Sequence, residues 1–207
     1  MSERDKLQKK SGAKDSIGER IKNDPGFALQ FASENGDINL AKTTLEKGKI
    51  DVNYTDQYGF TPLFRAVMNK QKEFISFLLD NGADPDIQTR EGFTALMAAA
   101  ESGDNETLKI LLYHKANPNL RTIQGTTSLH IAASSGHPET INLLLKSGAD
   151  ASIRDNTDIK KVLEQQTGHE IFMTSGDEKM LKGLTALDVA RMCGHTKAEE
   201  ILSKVKQ

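Results

Sequence analysis

The chain repeats itself every 33 residues, and that period restricts the fold more than any other feature of the sequence. Gly59, Gly92 and Gly125 keep the spacing, as do Thr61, Thr94 and Thr127, Leu63, Leu96 and Leu129, and Ala66, Ala99 and Ala132. Later in each repeat, Leu78-Leu79, Leu111-Leu112 and Leu144-Leu145 hold the same phase, followed by Ala83, Ala116 and Ala149. A fixed period with alternating helix and turn signals builds a stack of supersecondary modules, each burying its apolar face against its neighbours. Such a stack presents an extended surface and seldom performs covalent chemistry.

The residue types follow from local physics. Gly in each tip permits a backbone conformation that a Cβ disfavours. Thr61, Thr94, Thr127 and Thr185 stand where a helix begins, and a hydroxyl there caps free N–H groups. Pro62 and Pro138 suit a first helical position. The Leu and Ala of each repeat, three apart, share one helical face. Gly103 and Gly136 end first helices, whereas Gly82 and Gly148 end second helices.

The runs Gly59-Phe60-Thr61-Pro62-Leu63-Phe64-Arg65-Ala66 and Gly125-Thr126-Thr127-Ser128-Leu129-His130-Ile131-Ala132 resemble the ankyrin repeat. The second halves, Phe77-Leu78-Leu79-Asp80-Asn81-Gly82-Ala83-Asp84 and Leu143-Leu144-Leu145-Lys146-Ser147-Gly148-Ala149-Asp150, do so too. The resemblance covers roughly 26–154 and 183–207. It implies an all-α solenoid of about five helix-turn-helix repeats with projecting β-turn tips: 26–55, 56–88, 89–121, 122–154 and 183–207. Residues 1–25 are expected to form a flexible or helical extension, and the first repeat lacks the Thr-Pro start. Ser203 replaces the Leu of inner repeats, as a terminal repeat with a polar outer face requires.

Departures from the period are the functional pointers. Counting 33 on from Thr127 reaches Lys160, yet the motif returns at Thr185, an insertion of 25 residues within about 155–182. Its apolar groups, Ile171, Phe172 and Met173 among them, either fold onto the flanking repeats or project into a partner. A second departure is Lys115, where Gly82 and Gly148 stand in neighbouring repeats. The same backbone would hold Lys115 in the left-handed region, which costs roughly 1 kcal/mol. Lys70 and Gln71 replace the Gly-His of the fourth and fifth repeats.

The resemblance also implies where a partner sits. In ankyrin repeats the tips and the outer side of the first helix form a concave surface. By position, the tips are Gln57, Tyr58 and Phe60, then Arg90, Glu91 and Phe93, then Ile123, Gln124 and Thr126. The helix positions include Met68 and Glu101. Tyr58, Phe60, Met68, Phe93 and Ile123 make an apolar strip with Arg90, Glu91 and Glu101 beside it, and aromatic and Arg side chains are typical interface anchors. Phe60 and Phe93 alternatively cover neighbouring turns. The partner-binding candidates are therefore Gln57, Tyr58, Phe60, Met68, Arg90, Glu91, Phe93, Glu101, Ile123 and Gln124, with Phe172 and Met173 in the insertion.

Other chemistry is weakly supported. His130, His137 and His195 fall at repeat positions and are expected to be structural. No H-x-x-x-H, C-x-x-C or phosphate-cradling loop occurs, so no metal, cofactor or catalytic residue is expected, and the reading is non-enzymatic. The net charge of −2 supplies no bulk field toward nucleic acid; Arg65, Arg90 and Arg121 are the only candidates for such a role. No 18-residue apolar run or signal segment is visible, and one cysteine, Cys193, forms no disulfide framework. The expectation is a cytoplasmic protein, periplasmic or secreted if a leader was removed. It is expected to be monomeric, binding another protein as an adaptor, or as an inhibitor whose 155–182 insertion blocks a partner enzyme.

Overall fold

The computed structural model describes residues 17–47, 50–158 and 183–205. The chain divides into two compact units, Met1–Ile87 and Gln88–Gln207.

In the N-terminal unit, residues 17–23 are helical. Four helices follow: α1 (Pro25–Asn35), α2 (Ile38–Glu46), α3 (Pro62–Met68) and α4 (Lys72–Asp80). The first repeat does have a capped proline start, displaced from the expected register. Asp24 Oδ1 accepts from Phe27 N at 2.9 Å and Pro25 occupies the first turn, so α1 begins about a turn early. An acceptor side chain before proline does the work that Thr-Pro does at Thr61-Pro62, where Thr61 Oγ1 accepts from Phe64 N at 3.0 Å. α1 packs on α2 and α3, and α3 on α4. Ala32 and Ala66 are fully buried at these contacts, and their small size brings the helix axes close. Leu29, Leu63, Phe74, Ile75 and Leu78 fill the rest of the core, each contributing about 1.5–3 kcal/mol by burial.

The C-terminal unit holds α5 (Ala95–Ser102), α6 (Asn105–Tyr113), α7 (Ser128–Ser134), α8 (Pro138–Lys146), α9 (Ala186–Met192) and α10 (Thr196–Ser203). First helices α5, α7 and α9 pack in sequence, and second helices α6, α8 and α10 form a parallel row beside them. Alanines again sit at the contacts: Ala99, Ala132 and Ala190 are fully buried. Thr94 caps α5 through Met97 N. Thr185 and Asp188 cap α9 reciprocally: Asp188 N donates to Thr185 Oγ1 at 3.3 Å and Thr185 N to Asp188 Oδ2 at 3.0 Å.

The histidines tie repeats together. His137 Nε2 donates to Glu101 O at 3.0 Å, and His195 Nε2 to Ser134 O at 2.9 Å. The imidazole also explains the glycine one repeat back. A Cβ on Gly136 would stand 2.7 Å from His195 Nδ1. In the N-terminal unit Gln71 performs the same task, donating from Nε2 to Glu34 O at 3.2 Å while its Oε1 fills the space against Gly36. Lys70 and Gln71 thus preserve the clamp that Gly-His provides, with Lys70 held at φ 56°. Lys115 is left-handed, as its position requires, at φ 68°.

Candidate functional site

Each tip is a short hairpin closed across four residues. In the N-terminal unit, Asp56 N donates to Phe60 O at 3.1 Å, and Asp56 Oδ1 accepts from Tyr58 N at 2.8 Å and Phe60 N at 3.0 Å. Thr89 and Thr122 repeat this in the C-terminal unit: Thr89 N donates to Phe93 O at 2.9 Å, Thr122 N to Thr126 O at 2.9 Å, and each hydroxyl accepts the return N–H. The same pattern joins Asp155 to Leu184. Asp155 N donates to Leu184 O at 3.0 Å, Leu184 N to Asp155 Oδ1 at 2.7 Å, and Gly183 N to Thr157 O at 3.1 Å. Residues 159–182 leave and return through this neck. They lie outside the described residues, and Phe172 and Met173 with them.

Successive tips in the C-terminal unit are clasped by one position per repeat. Gln88 Nε2 donates to Arg121 O at 2.9 Å, an Arg121 guanidinium nitrogen to Arg154 O at 2.8 Å, and Arg154 to Gly183 O at 3.1 Å. Ile123 N also donates to Glu91 O at 3.0 Å, and Asn156 N to Gln124 O at 2.8 Å. The backbones of the predicted tip residues are therefore fixed while their side chains are presented. Ile123 is 66% exposed, and Arg90, Glu91, Gln124 and Glu101 are exposed. Phe93 is half-buried. His130 anchors the same region from below. Its Nδ1 accepts from Thr127 N, and its Nε2 donates to Leu184 O at 2.8 Å, which fixes the neutral tautomer. Burial holds the His130 pKa below its ordinary 6.5, against the opposing pull of the Leu184 carbonyl and of Asp155.

The N-terminal unit pairs charges at its tip where the other donates to backbone carbonyls. Arg65 donates to Asp56 Oδ2 at 2.5 Å and also pairs with Glu34. Burial pushes the Asp56 carboxyl up. The Arg65 hydrogen bond, the Tyr58 and Phe60 N–H groups and the Arg65 charge outweigh it and leave the pKa lowered. The Arg65 guanidinium lies 5.5 Å over the Phe60 ring, which itself stacks on Phe64 at 5.1 Å. Phe60 is thus half-buried in a ring stack, the covering role weighed above. Tyr58 (57% exposed), Met68 (58% exposed) and Gln57 remain at the surface.

Two of the three arginines considered for nucleic acid are spent on protein acceptors: Arg65 on carboxylates and Arg121 on carbonyls. The sequence reading missed Tyr54, Asp56, Glu34 and Gln30, which with Tyr58 line a recess beside the first tip. Asp56 was the available signal, since it holds the place of Thr89, Thr122 and Asp155 in the period.

The family model for ankyrin repeats (3 copies) matches residues 8–89 and again 77–155, more than half of the chain. The chain belongs to the ankyrin repeat family. Ankyrin repeats are generally protein–protein interaction modules. Among curated proteins, this ankyrin repeat chain is 39% identical over 74 residues to the BTB/POZ domain and ankyrin repeat-containing protein BOP of Lupinus luteus, covering 35% of this chain and 15% of that protein. It is 37% identical over 74 residues to the regulatory protein NPR5 of Arabidopsis thaliana, again 35% and 15%. It is 40% identical over 57 residues to the palmitoyltransferase akr1 of Schizosaccharomyces pombe, 28% of this chain and 9% of that one. The matched stretch is thus a small fraction of each relative's length. Among the described residues no helix is long and apolar enough to cross a membrane.

Proposed function

We propose that the protein is a non-enzymatic binding module that holds a folded partner through its concave face and turn tips. The observation that carries this reading is the contrast at the tips between fixed backbone and exposed side chain. Tyr58 and Ile123 project from hairpins closed by backbone bonds, and their own N–H groups are already bonded, to Asp56 Oδ1 and Glu91 O. Pre-ordered tips lower the entropy lost on association, and exposed Tyr, Met, Ile and Arg side chains are the kind that anchor interfaces. A second reading, inhibition of a partner enzyme by residues 155–182, is favoured by the closed neck at Asp155 and Leu184. A segment starting and ending there leaves the tip undisturbed.

A pull-down from the source cell tests both readings with three proteins: wild type, Tyr58→Ala combined with Ile123→Ser, and a variant lacking 158–180. Circular dichroism checks that each variant is folded. Loss of the partner by the tip variant alone supports the concave reading. Loss by the deletion alone transfers recognition to the insertion. Retention by both variants overturns the two readings together.

A further inference from the structure

The recess of the N-terminal unit has a volume of about 380 Å3, the size of a small ligand cleft. Its charge is not balanced. Among the described residues, Asp24, Glu34 and Asp56 line it against Arg20 and Arg65 alone. Arg65 is shared by Glu34 and Asp56, and Arg20 lies 3.9 Å from Asp24, so one negative charge is in excess. Its hydrogen bonding is not complete either. Gln30, 6% exposed, donates from Nε2 to Phe60 O at 2.8 Å, and its Oε1 accepts from no described residue. Turning the amide over would set oxygen against the Phe60 carbonyl, so the orphan acceptor is enforced. Arg65 Nε is likewise a buried donor without an acceptor. Natural structures leave few such groups unsatisfied.

We propose that this recess receives the cationic side chain, Arg or Lys, of an extended segment of a partner protein. A guanidinium or ammonium carries donors only. It supplies the hydrogen that Gln30 Oε1 lacks, cancels the excess carboxylate charge and rests against the tyrosine rings of the rim. A main-chain carbonyl of the same segment supplies the acceptor for Arg65 Nε. An acidic side chain could accept from Arg65 Nε but would add to the excess negative charge and leave Gln30 Oε1 without a donor, and a neutral amide would leave the excess charge in place. Both orphan atoms are covered, so entry parts the rim, where Tyr58 has room to turn. This inference rests on the reading of the tips as the partner surface and specifies the chemistry recognised within the N-terminal unit.

The probes are capped pentapeptides, acetyl-Gly-Ala-Xaa-Ala-Gly-amide with Xaa as Arg, Lys, Gln or Glu, titrated at millimolar concentration into the isotopically labelled full chain and followed by NMR. The Arg and Lys peptides are expected to shift the amides of Tyr54, Gln57 and Tyr58 and the side-chain NH2 of Gln30. Glu34→Gln and Tyr58→Ala are each expected to weaken the Arg peptide at least about fivefold, in spectra that otherwise match wild type. Equal shifts from the Arg and Glu peptides, or none from Arg with the spectrum intact, overturn the proposal. A silent titration beside a tip-dependent pull-down removes the recess and leaves the tip reading standing. A cation-selective titration beside a tip-independent pull-down does the reverse.

Discussion

The two units solve the same problem with different chemistry. Both must hold projecting tips on short helices. The C-terminal unit does so with directional bonds to neutral carbonyls, repeated once per repeat: Gln88, Arg121 and Arg154 each donate to a carbonyl of the next tip, and His130 reaches Leu184. The N-terminal unit holds its tip with one guanidinium between two carboxylates. The first arrangement spends its donors on backbone acceptors, and the one buried side-chain orphan among the described residues of that unit, Ser128 Oγ, lies within α7. The second leaves surplus charge and two orphan atoms around a recess. Regular repetition therefore favours rigidity, and departure from it leaves chemistry available for binding.

The comparison can be broken most forcefully at the neck. Gly183 has φ 76°, and a Cβ there would stand 2.1 Å from the Asp155 carbonyl oxygen. Gly183→Ala is expected to destabilise the C-terminal unit by roughly 2–4 kcal/mol, summing backbone strain and overpacking. Gly82→Ala and Gly148→Ala, where nothing lies within 4 Å, should cost only about 1 kcal/mol each. Urea denaturation of the three variants measures the difference, and equal losses would show that the neck is not a tight contact.

His130→Ala comes next, at about 2 kcal/mol, because it orphans the Thr127 N–H, removes one of the two donors to the Leu184 carbonyl and leaves a cavity under the tip. Its pH dependence separates the units. A His whose folded pKa is depressed takes up a proton more readily when unfolded. Its contribution is complete above 6.5 and is lost as pH falls from 6.5 toward the folded value. Asp56, lowered from 3.8, begins to lose its contribution only below 3.8. Between pH 7 and 5, hydrogen exchange corrected for intrinsic rates should show weaker protection around Leu184 and unchanged protection around Phe60. His130→Ala should remove that difference.

Arg65→Met is expected to cost about 1 kcal/mol, since the pairs are partly exposed. The loss should shrink in high salt, whereas that of Arg121→Met should not. A salt-independent Arg65 effect would mean that packing on Phe60 dominates. The smallest effect is a gain. Lys115→Gly relieves a left-handed residue at φ 68° and should add about 0.5–1 kcal/mol, raising Tm by about 1–4 °C. Lys70→Gly is its counterpart in the other unit, and an unchanged or lower Tm would contradict the strain assigned to either lysine.

The period alone determined the helices, their caps at Thr61, Thr94 and Thr185, the glycine stops and the left-handed backbone of Lys115. Each of these is set by residues within a few positions along the chain, so each is written locally. The early start of α1 escaped that reading because Asp24-Pro25 substitutes function for identity. The equivalence of Gln71 to His137 and His195 escaped it for the same reason: a hydrogen bond to a carbonyl asks for a donor at the right reach, not for one residue type. Tyr58, Met68 and Ile123 were legible as exposed, because positions that do not pack the stack are fixed by the repeat. The half-burial of Phe60 was not, since it depends on Phe64 and Arg65 arriving on the same side. The recess lay furthest from the sequence. Gln30, Glu34, Asp56 and Arg65 span 36 positions and acquire a shared charge and unsatisfied atoms only when α1, α3 and the first tip come together, because electrostatics and hydrogen bonding depend on distance in space, whereas the period records only distance along the chain.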